Sequence, residues 1–133
     1  MNYYIEILKA SGLKATVQRL TILELMSDSG HITIDGLYQQ INQTHPTLSL
    51  ATIYKNIVTL VEKKVVVEIP IVGSKSYYEL KKRDHIHLIC KECGEVTDKE
   101  LDPAIEKLSL TNDTFSLSYM QINLYGTCSE CQI

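Results

Sequence analysis

Long apolar runs are missing from this chain: nothing in it approaches the ~20 consecutive apolar residues of a membrane span. An excess of positive charge is missing too. A net charge of −3 and a pI of about 5.8 argue against a basic surface that coats nucleic acid non-specifically, so any DNA contact must come from a local basic patch. The opening MNYYIEILKASG has no cationic segment, no long apolar segment and no small-residue cleavage site. No secretory signal is therefore expected, and the chain is placed in the reducing cytoplasm. There is no low-complexity segment and no internal repeat beyond two CxxC pairs, and no serine or cysteine nucleophile has an obvious partner base. An enzyme is not expected. What remains is a chain of 133 residues with 44% apolar content, enough for one domain or two small ones with a real core.

The densest chemistry lies at 84–94, DHIHLICKECG, which holds two of the four histidines and two of the four cysteines. If this segment is a strand, alternation projects His85 and His87 from one face, and one strand can feed two sites. Cys90 and Cys93 make the first CxxC pair, and Cys128 and Cys131 make the second near the far end. Each CxxC turn puts two thiolates on one side of a tight loop, and two turns supply the tetrahedral sulfur set of a structural Zn2+. Disulfides or a redox CxxC are the alternative, and the reducing compartment weighs against them. The segment between the pairs exceeds a compact zinc ribbon, so secondary structure that folds back is predicted there.

The first part reads as helices followed by a hairpin. A short helix over 2–10 ends at Gly12, and a second, capped by Thr16, runs over 17–27 with Val17, Leu20, Leu23 and Met26 or Leu25 on its buried face. Thr33 or Asp35 opens a third, with Leu37, Tyr38 and Ile41 inward, closed by His45 and Pro46. His45 reads as an ordinary surface residue. Ser49 caps a fourth with Leu50, Ile53, Ile57, Leu60 and Val61 inward, which leaves Thr52, Lys55, Asn56 and Thr59 outward and Tyr54 at the boundary. VVVEIP and SYYEL, joined through Gly73, Ser74 and Lys75, form a hairpin. Helices followed by a hairpin match a winged helix-turn-helix, though a protein-interaction module has the same pattern. Basic residues Lys14, Arg19 and Lys55 in this part have few acids nearby.

The polar LKKRD at 80–84 reads as a hinge between 1–79 and 85–133. Beyond the first CxxC a second strand is expected over 95–98, and Asp102 with Pro103 opens a helix over 103–110. Residues 115–125 alternate, but the apolar phase shifts from Phe115, Leu117 and Tyr119 to Met120, Ile122 and Leu124. A long strand with a β-bulge or a face exchange near Tyr119 is the expectation.

Taken together, LKATVQR, HITIDGLY, LSLATIYKNI, YYEL leading into HIHLICKECG, and the final YGTCSEC resemble the ferric uptake regulator family over nearly the whole chain. The resemblance implies an α+β protein: an N-terminal winged helix-turn-helix DNA-binding domain, a hinge, and a C-terminal α/β dimerisation domain that holds the four-cysteine zinc. It implies a homodimer on double-stranded operator DNA, with no membrane partner and no small-molecule substrate besides peroxide as signal. It also implies a regulatory Fe2+ or Mn2+ site between the domains, built from His31, Glu79, His85, His87 and Asp98, a nitrogen and oxygen set suited to such ions. Singly, His31 fits a helix-start histidine, Glu79 a solvated carboxylate and Asp98 a turn former; the joint match carries the assignment. Tyr54 and Lys55, with Thr52 beside them, are implied to face the major groove, and Lys14 and Arg19 the phosphates.

Within the family the chain is most similar to the peroxide-responsive repressors, because Asp98 is an aspartate where iron regulators more often carry glutamate. The further metal site of many iron regulators lacks its histidine in YMQINLYG, and Ile86 between His85 and His87 cannot ligate. In the peroxide reading His31 or His85 is oxidised, the metal is lost and the operator is released. Glu79, where peroxide sensors carry aspartate, points the other way and keeps an iron-responsive repressor as the alternative.

Overall fold

The structure, a computed structural model, describes residues 2–102, 104 and 110–132. The chain divides into two compact units, Met1–Lys81 and Lys82–Ile133. The division falls inside the polar 80–84 stretch.

The first unit contains α1 (Asn2–Ala10), α2 (Val17–Ser29), α3 (Ile34–Thr44) and α4 (Leu50–Glu62), then β1 (Val66–Ile69) and β2 (Tyr77–Leu80). Three helix starts are fixed by hydroxyls. Thr16 accepts from the Arg19 N–H, Thr33 from Gly36 and Ser49 from Thr52, each satisfying a donor the helix leaves open. Leu8, Leu20, Leu23, Met26, Leu37, Ile41, Ile53, Ile57 and Leu60 form the core with Ile22, Ile32, Val65 and Val66. Truncating a fully buried member such as Ile53 to alanine costs about 2–5 kcal/mol. Two assignments change. Val17 is exposed and Ile22 is fully buried, because Val17 is the first residue after the cap and the packed stripe of α2 is wider than a single row. Leu50, at the start of α4, is exposed as well.

β1 and β2 pair antiparallel, Val66 opposite Leu80 and Ile69 opposite Tyr77. Tyr78 also forms an isolated antiparallel bridge to Ile32, in the link between α2 and α3, so the wing is stitched to the helices by backbone. Lys64 follows α4 at φ 62, a left-handed residue that turns the chain into β1.

The second unit holds β3 (His85–Cys90), β4 (Val96–Glu100) and β5 (Ile122–Gly126), in the order β4-β3-β5, followed by a 3-10 turn at Ser129–Gln132. β3 pairs antiparallel with β4 and parallel with β5. Parallel pairing sets Cys90 opposite Gly126, so both CxxC turns leave the same end of the sheet. The fold-back predicted between the pairs is thus β4, a crossover and β5. The predicted long strand is shorter: 115–121 carry no strand assignment and pairing begins at Ile122. Its cause is the length of β3, which begins at His85 and in this parallel register first pairs at Ile86, opposite Ile122, so the earlier residues have no β3 residue opposite them. The bulge near Tyr119 therefore does not arise. The helix predicted over 103–110 lies largely outside the described residues. Among the described residues no helix is long and apolar enough to cross a membrane.

Candidate metal centres and nucleic-acid face

The cysteine cluster follows directly from the sheet register. The Lys91 N–H donates to Gly126 O at 2.8 Å, tying the first knuckle to the end of β5. Within the first knuckle the Gly94 N–H donates to Cys90 O at 3.0 Å, and Gly94 takes φ 77, where a side chain would be strained. In the second, the Cys131 N–H donates to Cys128 O at 3.0 Å. The sulfurs of Cys90, Cys93, Cys128 and Cys131 all lie within 4.8 Å of one another. Cys93 Sγ and Cys128 Sγ are 3.8 Å apart. That is far from a disulfide and equals the edge of a tetrahedron with zinc–sulfur bonds of about 2.3 Å, so the donor set fits Zn2+. Backbone N–H groups of Cys128 and then Cys93 pull the Cys90 thiol down to about 6, while the neighbouring Cys128 sulfur pushes Cys131 up to about 12. Without a cation, crowding keeps the set from ionising fully. A dication removes that conflict.

The histidine row sits on the opposite end of β3. Register places His87 between Asp98 of β4 and Asn123 of β5, with His85 one pleat away on the same face. His85 Nδ1 donates to Arg83 O and His87 Nδ1 to Asn123 Oδ1, both at 2.8 Å. Each ring then presents the lone pair of Nε2, and the two Nε2 atoms are 2.9 Å apart. Asp98 Oδ1 lies 3.9 Å from the first and 3.8 Å from the second, and Lys82 Nζ holds Asp98 Oδ2 at 2.6 Å. Two lone pairs facing at this distance repel unless a proton or a metal ion lies between them, and nitrogens sharing one metal ion at adjacent positions stand about 3 Å apart. The donors fit a divalent ion. His31 and Glu79 meet in the first unit, Nε2 to Oε2 at 3.0 Å, with Glu79 buried. Asn123 and Lys82 were not recognised in the sequence. Their spacing to His87 and Asp98 carries no local signal.

The outer face of α4 displays Tyr54, 55% exposed, and Lys55, with Thr52 half-buried beside the cap. Lys14 is exposed. Arg19 is more engaged than expected: Nε donates to Asn56 Oδ1 at 3.2 Å and Nη1 to Lys14 O at 2.9 Å. Asn56 in turn donates to Thr52 O at 3.0 Å, so α2 is strapped to the exposed face of α4. A groove of about 450 Å³ runs between the starts of α3 and α4 and the wing, lined by Ile34, Leu50, Tyr54 and Tyr78. An ion pair of Lys75 with Asp35 and a 2.7 Å bond from Ser76 Oγ to Glu68 Oε2 bound it.

A winged helix-turn-helix unit, a four-sulfur cluster and a histidine row with a carboxylate define a metal-responsive transcription regulator. The chain belongs to the ferric uptake regulator family, whose sequence model matches residues 10–125. It is 33% identical over 128 residues to the peroxide-responsive repressor PerR of Staphylococcus aureus, covering 94% of this chain and 86% of that protein. Among solved structures it is similar to the Campylobacter jejuni peroxide stress regulator, with TM-score 0.75 and 34% identity over 96% of this chain and 98% of the other. It is also similar to the Vibrio cholerae ferric uptake regulator, a protein with DNA-binding domains, at TM-score 0.74 and 32% identity over 93% and 98% of the two chains.

Proposed function

We propose that the chain is a metal-dependent repressor that binds operator DNA as a homodimer and releases it when hydrogen peroxide oxidises a ligand histidine. The observation that carries this reading is the convergence of His85 Nε2 and His87 Nε2, 2.9 Å apart, beside the Asp98 carboxylate. Such a set suits Fe2+ or Mn2+. In this reading residues 1–79 bind DNA, 80–84 act as a hinge and 85–133 dimerise. His31 and Glu79 from the first part join His85, His87 and Asp98 from the second around one regulatory ion, and Cys90, Cys93, Cys128 and Cys131 hold structural Zn2+. Ligands carried by two units engage together in only one arrangement of the hinge, so ion binding selects the arrangement that fits the operator.

When Fe2+ is bound it supplies the reduction of hydrogen peroxide, with His31 and His85 as the imidazoles that take up an oxygen atom. An oxidised ring is a poorer ligand, so the set weakens and the hinge is released. On the DNA side, the exposed Tyr54 ring packs on a thymine methyl and Lys55 donates to a guanine edge or a phosphate. Thr52 lies beside them near the start of the same helix. Lys14 reaches phosphate, and Arg19, held by Asn56 and the Lys14 carbonyl, steadies the reading helix and offers its remaining N–H groups to the backbone.

Similarity to the Staphylococcus aureus and Campylobacter jejuni regulators supports peroxide as the signal. Glu79, a glutamate in place of aspartate, favours the second reading, an iron-responsive repressor, as does similarity to the Vibrio cholerae protein. The deciding experiment loads the zinc-containing protein anaerobically with Fe2+ or Mn2+, adds stoichiometric hydrogen peroxide, and follows operator binding and peptide masses. Loss of binding with one added oxygen on the peptide containing His31 or His85, in the iron form only, establishes peroxide sensing. Binding that survives with no added oxygen establishes the iron-responsive repressor instead.

A further inference from the structure

His85 and His87 are oriented by different means. The Nδ1–H of His85 donates to Arg83 O at 2.8 Å, a backbone acceptor that survives any side-chain substitution at position 83 except one that moves the chain. The Nδ1–H of His87 donates at the same distance to a side chain, Asn123 Oδ1. Asn123 arrives from 36 positions away, brought opposite His87 by the parallel register of β3 and β5. His87 itself is 1% exposed, so water is a poor substitute partner for its ring. A neutral imidazole carries one N–H, and whichever nitrogen holds it cannot ligate. An acceptor that keeps the proton on Nδ1 thereby leaves the lone pair on Nε2, the atom that faces His85 Nε2 at 2.9 Å.

We infer that Asn123 is the positioning residue of the regulatory ion: through His87 it sets both the tautomer and the ring plane that the ion requires. The inference rests on the regulatory-site reading above. Partners of this kind, one bond removed from the ion, typically contribute about 10–100-fold to affinity. An amide oxygen is a neutral acceptor, so Asn123 orients His87 without adding the charge that a carboxylate would bring. Ion binding here is therefore kept weaker than the same strand geometry allows. Asn123→Asp keeps the acceptor at nearly the same size and adds that charge. Asn123→Leu keeps the bulk and removes the acceptor.

The test uses the full-length, zinc-loaded protein. Mn2+ binding is followed by the paramagnetic signal of the free ion for wild type, Asn123→Leu, Asn123→Asp and His87→Ala, with zinc content confirming an intact cysteine cluster. Nitrogen-15 shifts of His87 in the Mn2+-free protein report its tautomer. Expected are the Nδ1–H form in wild type, a tautomer mixture with affinity lowered about 10–100-fold in Asn123→Leu, and affinity at or above wild type in Asn123→Asp. Wild-type His87 in the Nε2–H form overturns the inference and needs no variant to fold. So does Asn123→Leu binding Mn2+ as wild type does while His87→Ala loses it, an outcome that leaves the regulatory site standing. Undiminished Mn2+ binding by His87→Ala overturns both.

Discussion

Ile32 and Tyr78 exchange both backbone hydrogen bonds, Tyr78 N–H to Ile32 O at 2.8 Å and Ile32 N–H to Tyr78 O at 3.1 Å. This single bridge sets the neighbouring residues side by side, and His31 Nε2 meets Glu79 Oε2 at 3.0 Å. The wing strand thus carries a carboxylate to a histidine that precedes α3. Glu79→Ala should keep zinc content and helicity and lower Mn2+ affinity at least about tenfold, since removing a ligand costs no less than removing a group that orients one. Titration with Mn2+ checks it, and an unchanged affinity removes Glu79 from the ligand set.

The cysteine cluster makes a prediction about protons. Zinc binds thiolates, so uptake by the reduced, zinc-free protein releases the protons the four thiols still carry. Cys90, pulled down to about 6 by the N–H groups of Cys128 and Cys93, has already lost its own at pH 7.5. Cys90 should therefore add almost nothing to the protons released per zinc at that pH, a shortfall from the four-thiol total. The shortfall should shrink as pH falls through 6, where Cys90 takes its proton back. Release in weakly buffered indicator dye measures it.

Tyr54 stands 55% exposed on the outward face of α4, whose orientation is held by the Arg19 to Asn56 bond. Tyr54→Ala removes no core packing and, in the proposed reading, one base contact. Operator affinity should drop by about 1–3 kcal/mol, while binding to unrelated DNA changes little. Equal loss on both in a gel-shift titration excludes base reading by Tyr54.

Lys64 occupies the left-handed region at φ 62, immediately after Lys63, the cap of α4. The turn closes with the Val65 N–H on Leu60 O at 3.0 Å, so the conformation is imposed by the helix end. A residue with a Cβ is strained there. Lys64→Gly should raise stability by up to about 1 kcal/mol in a denaturant melt, with part of the gain offset by the freedom glycine adds to the unfolded chain.

What was legible in the sequence is what is encoded locally. The hydroxyls of Thr16, Thr33 and Ser49 cap the helices they precede, because each accepts from an N–H three residues on. The four cysteines converge because CxxC is a local turn and β3 to β5 pairing brings two such turns to one end. What was not legible depends on register between distant segments. Asn123 opposite His87 and Ile32 opposite Tyr78 follow from pairing partners that no spacing announces. Alternation over 115–125 predicts a strand, but a strand also needs a paired neighbour, and β3, which begins at His85, supplies one only from Ile122.

Lys82 occupies the remaining oxygen of Asp98, Nζ to Oδ2 at 2.6 Å, while Oδ1 faces the two histidine nitrogens at 3.8 and 3.9 Å. The ammonium therefore does two opposed things. It holds the carboxylate in place, and it puts a positive charge beside a site meant for a dication. Both side chains are partly exposed, 51% for Lys82 and 28% for Asp98, so solvent screens the pair and its strength is about 0.2–1 kcal/mol. Strand pairing fixes the Asp98 backbone and the screened pair adds only weakly to the hold on its carboxylate, which leaves repulsion as the larger effect. Lys82→Met should tighten Mn2+ binding by about 1.5- to 5-fold, and the difference from wild type should narrow as salt is raised. Weaker binding in Lys82→Met would show that holding Asp98 outweighs repelling the ion.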